Sequence, residues 1–289
     1  MNPIPKVAAI HDLSGFGRSS LTVVLPILST MGMQVSPLPT AVLSSHSQIS
    51  DYKFVDLTKH MRDFISHWKT LNIHFDAIYS GFLGSEEQIE IVKEMIPIFS
   101  KENQLIVVDP VLGDDGELYG PFGKSMVAKM RSLITHANVI TPNLTEAALL
   151  LDKPFPMEIS EKEVKEWVYE LSESGPGIAI ITSVPDSKNK KTTSVIAYNK
   201  VDQRYWKVSC DYLPGIYPGT GDAFTSVIVG SLLQGDSLPI ALDRAVEFVS
   251  MGIRATFGYA YNNLEGFLLE RVLGCLSSPV HRWSYELLE

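Results

Sequence analysis

The residues best equipped for chemistry stand together at Pro218-Gly219-Thr220-Gly221-Asp222-Ala223-Phe224. Two glycines, a hydroxyl and a carboxylate precede the apolar segment 225–233, and Ala223 onward reads as a helix. Such a turn leaves backbone N–H groups unpaired at the helix N-terminus. Free donors and the positive end of the helix dipole make an anion site. A carboxylate there has a purpose if Asp222 takes the proton of a hydroxyl that attacks a phosphoryl group held by the turn. It is equally readable as a first-turn acid favourable to the dipole.

Support comes from the ends of the expected strands. Strand 6–10 ends at His11-Asp12, followed by a glycine-rich turn, 14–20, and an apolar helix over 21–31. An irregular strand, 34–43, leads into the polar loop 44–48; strand 76–80 leads into Gly81-Phe82. The apolar run 104–108 is a buried strand ending at Asp109, and 139–141 is a strand ending at Pro142-Asn143. Strand 177–182 ends at Thr182-Ser183. In a parallel sheet, ligands bind at the carboxyl ends of the strands, so recurrence of polar residues there describes an aligned cleft. Asp109, Asn143 and Glu146 could hold a hydrated magnesium ion, which takes a few oxygen ligands and keeps its waters. Singly, Asp109 could make an Asx turn before Pro110, Asn143 could cap a helix, and Glu146 could be a solvated first-turn acid.

The elements that must position these residues follow from periodicity. Helices are expected over 55–70, from 85 to 99 behind a Ser85/Gln88 capping box, and over 122–134, 145–151 and 161–172. Residues 113–121 read as a polar, glycine-rich loop, and 187–191 as a hairpin tip between strands ending at Ile181 and starting at Thr193. Strand 204–209 and two amphipathic helices, 238–256 and 263–275, close the chain, with no element assigned from residue 277. The order predicts one α/β sandwich, a single domain over 1–289.

Composition narrows the function classes. The 289 residues are 45% hydrophobic and 20% charged, with a net charge of −9, which argues against nucleic acid as a partner. Cys210 and Cys275 suggest neither a disulfide framework nor a zinc site. The longest apolar stretch, 21–33, is interrupted by Pro26 and falls short of the ~18 residues of a membrane span. No targeting segment stands out, so a cytoplasmic location is expected. Gly15-x-Gly17 lacks the third glycine and the later acid of a dinucleotide fingerprint, and no Gly-x-x-x-x-Gly-Lys-Ser/Thr loop is present.

Gly219-Thr220-Gly221-Asp222 resembles the anion hole and base of the ribokinase-like small-molecule kinases, and Thr141-Pro142-Asn143-x-x-Glu146 resembles their second motif. Asp109-Pro110-Val111-Leu112-Gly113-Asp114 and Ile181-Thr182-Ser183 are similar to the pyridoxal/pyridoxamine kinase branch. The resemblance spans roughly residues 5–275. It implies a three-layer sandwich with helices on both faces of a mostly parallel sheet, and ATP-dependent phosphorylation of the hydroxymethyl group of pyridoxal, pyridoxine or pyridoxamine. Asp222 would be the general base, with Gly219, Thr220 and Gly221 stabilising the transferring phosphoryl. Asp109, Asn143 and Glu146 would organise magnesium. Thr182, Ser183, Asp109, Asp114 and Thr220 would serve the nucleotide, under a mobile 113–121 loop. Asp12, Ser14, His46, Ser47 and Phe82 would line the acceptor pocket. A homodimer and potassium activation are further implications.

The first turn departs from this branch. Asp12-Leu13-Ser14-Gly15 is closer to the Asp-x-Ser-Gly pattern of hydroxymethylpyrimidine kinases, whereas Asp222 stands where those enzymes usually carry cysteine. A hydroxymethylpyrimidine kinase, or a non-catalytic nucleotide or pyridoxal phosphate binding protein, remains open at this point.

Overall fold

The computed structural model describes residues 4–120, 122–259, 261–277 and 284–288. Its first half runs β1 (Lys6–Ser14), α1 (Leu21–Thr30), β2 (Gln34–Leu43), β3 (Phe54–Asp56), α2 (Thr58–Thr70), β4 (Ala77–Ser80), α3 (Glu86–Ile98) and β5 (Leu105–Val108). Then come β6 (Gly113–Asp114), β7 (Glu117–Leu118), α4 (Lys124–Ile134), β8 (Val139–Ile140), α5 (Leu144–Leu151) and α6 (Glu161–Glu173). The chain closes with β9 (Ile178–Pro185), β10 (Thr192–Asn199), β11 (Arg204–Asp211), α7 (Thr220–Leu233), α8 (Leu238–Phe257) and β12 (Tyr285–Leu288).

Ten strands form one sheet in the order β12-β11-β10-β9-β8-β5-β4-β1-β2-β3, and β6-β7 stand apart as a hairpin. From β2 to β9 neighbouring strands are parallel. β10, β11 and β12 at one edge and β3 at the other are antiparallel to their neighbours. Alternation along β1 assigns the two faces. Val7 and Ala9 pack with Val24, Val227 and Leu242 of α1, α7 and α8, whereas Ala8 and Ile10 pack with residues of α2 to α6. Because β1 lies between β2 and β4, the strand order reverses there and leaves a crevice outside the carboxyl ends of β1 and β4.

Several elements differ from the expectation. His11 and Asp12 do not close β1. Leu13 and Ser14 pair with Val42 and Leu43 after a register shift, and such bulges re-aim side chains beside active sites. The helix expected over 55–70 begins at Thr58, since Phe54–Asp56 pair with β2 and Asp56 accepts the Thr58 N–H at 2.6 Å. Ser85 caps α3 by accepting the Gln88 N–H, but no box closes. The Gln88 side chain takes the Gly84 N–H and donates to Thr40 and Thr58 instead. The 113–121 stretch contains a hairpin whose Asp115-Gly116 turn, φ 49 and 83, is an Asp-Gly signal the pattern reading passed over; Pro121 lies outside the described residues.

The helix expected over 263–275 is replaced by 3-10 turns at Asn263–Glu265, Leu269–Arg271 and Leu273–Ser277. Gly266 breaks it at φ 84, pressed so closely on the Gly17–Ser20 turn that a Cβ would lie 2.9 Å from the Arg18 carbonyl oxygen. The tail beyond 277 supplies β12, whose pairing covers residues Tyr205 to Val208 of β11.

Candidate active site

The anion turn forms earlier than its sequence suggests. Helix α7 starts at Thr220 rather than Ala223, with Gly219 as N-cap at φ 81. The Ala223 N–H donates to the Gly219 carbonyl at 2.9 Å, the first turn of the helix ladder. The N–H groups of Thr220, Gly221 and Asp222, rather than those of Gly219, Thr220 and Gly221 as the resemblance implies, are therefore the ones that have no intrahelical acceptor and face out of the helix end. The Thr220 hydroxyl donates to the Tyr217 carbonyl at 3.1 Å and ties the turn down.

Asp222 thus stands in the same helix end as those three N–H groups. Burial pushes its carboxyl up to about 6, a donated hydrogen bond from the Ser20 N–H (2.8 Å) pulls the other way, and the Asp12 charge adds to the rise. His11, fully buried on β1, has Nδ1 3.8 Å from Asp222 Oδ1. Burial pushes the imidazole down to about 3, so it stands neutral and gives Asp222 no counter-charge.

Asp109 at the end of β5 and Glu146 in the first turn of α5 stand on the same side. A Cβ on Gly221 would lie 4.0 Å from Asp109 Oδ2. Burial, Glu146 and Asp222 all raise the Asp109 carboxyl well above the usual range, against which the hydroxyls of Thr225 and Thr141 act. Glu146 is pushed up to about 7 by burial, though it accepts the N–H groups of Leu112 and Asn143 at 2.9 Å each. Asn143 completes a capping box, accepting the Glu146 N–H at 2.9 Å, and donates to the Gly113 carbonyl at 2.8 Å. The cap is therefore real, and it is also what fixes Glu146 beside Asp109. Asn143→Ala is expected to destabilise the fold by about 1 kcal/mol, read as a lower midpoint of urea unfolding.

Among the described residues no three His, Cys, Asp or Glu side chains form a closed metal cage. A pair of buried carboxylates, both with raised pKa values, suits instead a divalent ion that keeps its waters and shares phosphate oxygens. On this donor chemistry magnesium fits.

Thr182 lies close to Asn143: the two are bridged, and the Thr182 N–H donates to the Pro142 carbonyl at 3.0 Å. Ser183, exposed at φ 57, lies where the β9–β10 register shifts, a strained bulge of the kind found beside ligands. Asp114, exposed on the hairpin, accepts the Asp115 N–H, and its charge contributes to the rise of Glu146.

Asp12 is buried and accepts hydrogen bonds from the hydroxyls of Ser14 (3.0 Å) and Ser20. His46, also buried, contacts the Leu264 carbonyl through Nε2, so its ring is committed to the C-terminal segment. Ser47 is exposed on the loop after β2. Phe82 is stacked on Phe122, with ring centroids 5.9 Å apart and planes 26° from parallel.

A family model described as phosphomethylpyrimidine kinase matches residues 9–265. The chain belongs to this family. A crystal form with pyridoxal of a protein from Bacteroides thetaiotaomicron, provisionally named a phosphomethylpyrimidine kinase, is similar at 58% identity and TM-score 0.96, covering 99% of this chain and 100% of that one. Pyridoxal kinase from Lactobacillus plantarum is similar at 31% identity and TM-score 0.86, with 94% and 96% covered. Pyridoxal kinase from Arabidopsis thaliana shares 26% identity over 252 residues, 85% of this chain and 78% of that one. The fold is the ribokinase-like α/β sandwich.

Within this family member, the sequence reading passed over Ser20, which donates to both Asp222 and Asp12, and over Phe122, the partner of Phe82. It also passed over Arg18. The guanidinium pairs with Glu270 at 2.9 Å, donates to the Tyr261 hydroxyl at 2.6 Å, and binds the glycine-rich turn to the C-terminal segment. Tyr261 is an acceptor in that clamp. Ser20 carried one signal, a serine directly before a helix, but that pattern points to capping rather than to a distant carboxylate.

Proposed function

We infer that this protein transfers the γ-phosphoryl group of ATP to the hydroxymethyl group of pyridoxal, pyridoxamine or pyridoxine. One observation carries the reading: Asp222 stands in the same first turn of α7 as three outward N–H groups, so a base and an anion site share one helix end. Asp222 accepts the hydroxymethyl proton as the oxygen attacks the γ-phosphorus. The bond from that phosphorus to the bridging oxygen breaks, and ADP leaves. The N–H groups of Thr220, Gly221 and Asp222 receive the charge on the transferring group. Asp109 and Glu146, with Asn143 behind them, would hold magnesium through water, and the ion would neutralise phosphate charge. Thr182, Ser183 and Asp114 would contact the nucleotide beneath the β6–β7 hairpin. Asp12, Ser14, His46, Ser47 and Phe82 would surround the ring. The test is a panel of the three vitamers with ATP and magnesium, read as phosphorylated product. Absence of product with all three overturns the reading, and chelation of magnesium is expected to stop transfer.

The same sites support a second reading. The family model and the Asp12-Leu13-Ser14-Gly15 turn favour a hydroxymethylpyrimidine as acceptor. Side-by-side kcat/KM on the two ring classes separates the readings. A non-catalytic binder has no use for a buried base, and ATP turnover with either ring excludes it.

The carboxyl at about 6 sets the pH dependence. Asp222 works ionised, so with pyridoxal and saturating magnesium kcat/KM is expected to fall tenfold per unit as the pH drops below about 6. An acid limb centred near the ordinary carboxylate range would overturn the assignment.

Exposed Phe54 and Val55 on edge strand β3, beside Val42 of β2, offer an apolar patch for the homodimer, which light scattering would test. Potassium activation is tested by exchanging the monovalent salt. No helix among the described residues is long and apolar enough to cross a membrane, and a cytoplasmic location belongs to the same proposal.

A further inference from the structure

Ser20 gives up local stability in two ways. At φ 54 and ψ −131 it holds a conformation that suits the first central residue of a type II′ turn, where glycine is usual. It also stands immediately before α1, where a serine ordinarily turns its hydroxyl onto the helix's own N–H groups, and it makes no such bond. Instead both of its donors reach other elements. The hydroxyl donates to Asp12 Oδ1 on β1, and the backbone N–H donates to Asp222 Oδ2 on α7 at 2.8 Å. The residue is 6% exposed, so water does not substitute readily for either partner.

One residue is therefore the shared donor of two buried carboxylates, and the two donors are not independent. The N–H direction is set by the backbone angles, and the strained angles persist only if something opposes relaxation to negative φ. The hydroxyl on Asp12 is the side-chain restraint, beside the bonds that the Ser20 carbonyl accepts from the Val23 and Val24 N–H groups at 2.9 Å each. On the other side, the chain is anchored two residues earlier: the Arg18 N–H donates to the Glu265 carbonyl at 2.9 Å, and the Arg18 guanidinium to Glu270. Between these anchors, release of the hydroxyl turns the Ser20 N–H away from Asp222.

We propose that Ser20 is a positioning residue that couples the acceptor-ring contact at Asp12 to the alignment of Asp222. This rests on the reading of Asp222 as base and Asp12 as ring contact. A ring that engages Asp12 without displacing Ser20 keeps the base aligned, so specificity at Asp12 is expressed in kcat and not in binding alone.

Ser20→Ala tests this, because alanine removes the hydroxyl while keeping the backbone N–H and the Cβ that strains φ 54. With pyridoxal and ATP, Ser20→Ala and Asp12→Ala are each expected to lower kcat by about ten- to a hundredfold with Tm close to the parent's. The double variant is expected to stay within about twofold of the worse single one, since both remove the same restraint. Retained kcat with raised KM in Ser20→Ala, or multiplicative losses in the double variant, would overturn the proposal. A second readout does not depend on the acceptor. Amide exchange of segment 19–22 in the nucleotide-free protein is expected to be faster in Asp12→Ala than in the parent. Unchanged exchange sinks the coupling, whereas a parent inactive on pyridoxal with faster exchange in the variant sinks only the proposed function.

Discussion

Asp222→Asn is expected to lower kcat for pyridoxal phosphorylation by roughly a hundred- to ten-thousandfold, with KM for both substrates little changed. Asparagine has the shape of aspartate and still accepts the Ser20 N–H, so the turn keeps its geometry. What it lacks is the ability to take a proton. The same substitution removes a buried charge that also raises Asp109, so the fold is expected to be as stable as the parent or more so. Single-turnover phosphorylation measures the chemical step directly. A variant within about threefold of the parent rate, well inside the loss a general base accounts for, would remove Asp222 from the base role.

The glycines of the same turn are expected to separate folding from chemistry. Gly219 is at φ 81, and a Cβ there would sit 2.3 Å from the Arg18 carbonyl oxygen and 3.1 Å from Val23 Cγ2. Gly219→Ala must displace the Arg18 backbone or the first turn of α7, so loss of stability and a kcat fall of about a hundred- to a thousandfold are expected together. Gly221 has no positive φ, and its added Cβ meets nothing closer than Asp109 Oδ2 at 4.0 Å. Gly221→Ala is expected to fold as well as the parent or slightly better, by about 0.5–1 kcal/mol from helix propensity. Its methyl group points towards Asp109, into the space where the phosphoryl group must pass, so activity is expected to fall with Tm maintained. Thermal melts and steady-state rates on the two variants check this; equal damage to both properties in both variants would contradict the geometry.

Much of the site was legible because its parts are local. A glycine turn before an apolar helix, Asp109 after an apolar strand and Asn143-x-x-Glu146 at a helix start each carry their structure within a few residues. The magnesium and helix-cap readings of Asn143 and Glu146 looked like rivals in the sequence. In the fold the cap holds Glu146 in place beside Asp109, so the cap reading and the proposed magnesium reading are compatible. Where periodicity misled, a long-range contact had replaced it. Residues 263–275 are amphipathic enough for a helix, but Gly266 must lie against Arg18 and Pro218, and the segment becomes a strap of 3-10 turns.

By itself the sequence determined the alternation of strands and helices, the polar residues at the strand ends, and the anion turn with its carboxylate, because backbone propensity and hydrophobic period act over neighbouring residues. Tertiary structure alone decided how those residues act on one another. Burial raises the Asp222 carboxyl to about 6 and leaves His11 neutral beside it, and neither effect exists until the sheet excludes water around both. It also decided that Ser20, a serine with every local reason to cap α1, turns away from its own helix to hold Asp12 and Asp222, residues 8 and 202 positions distant in the chain. The anion turn at Gly219 therefore names the reaction, while its alignment depends on a residue at the far end of the sequence.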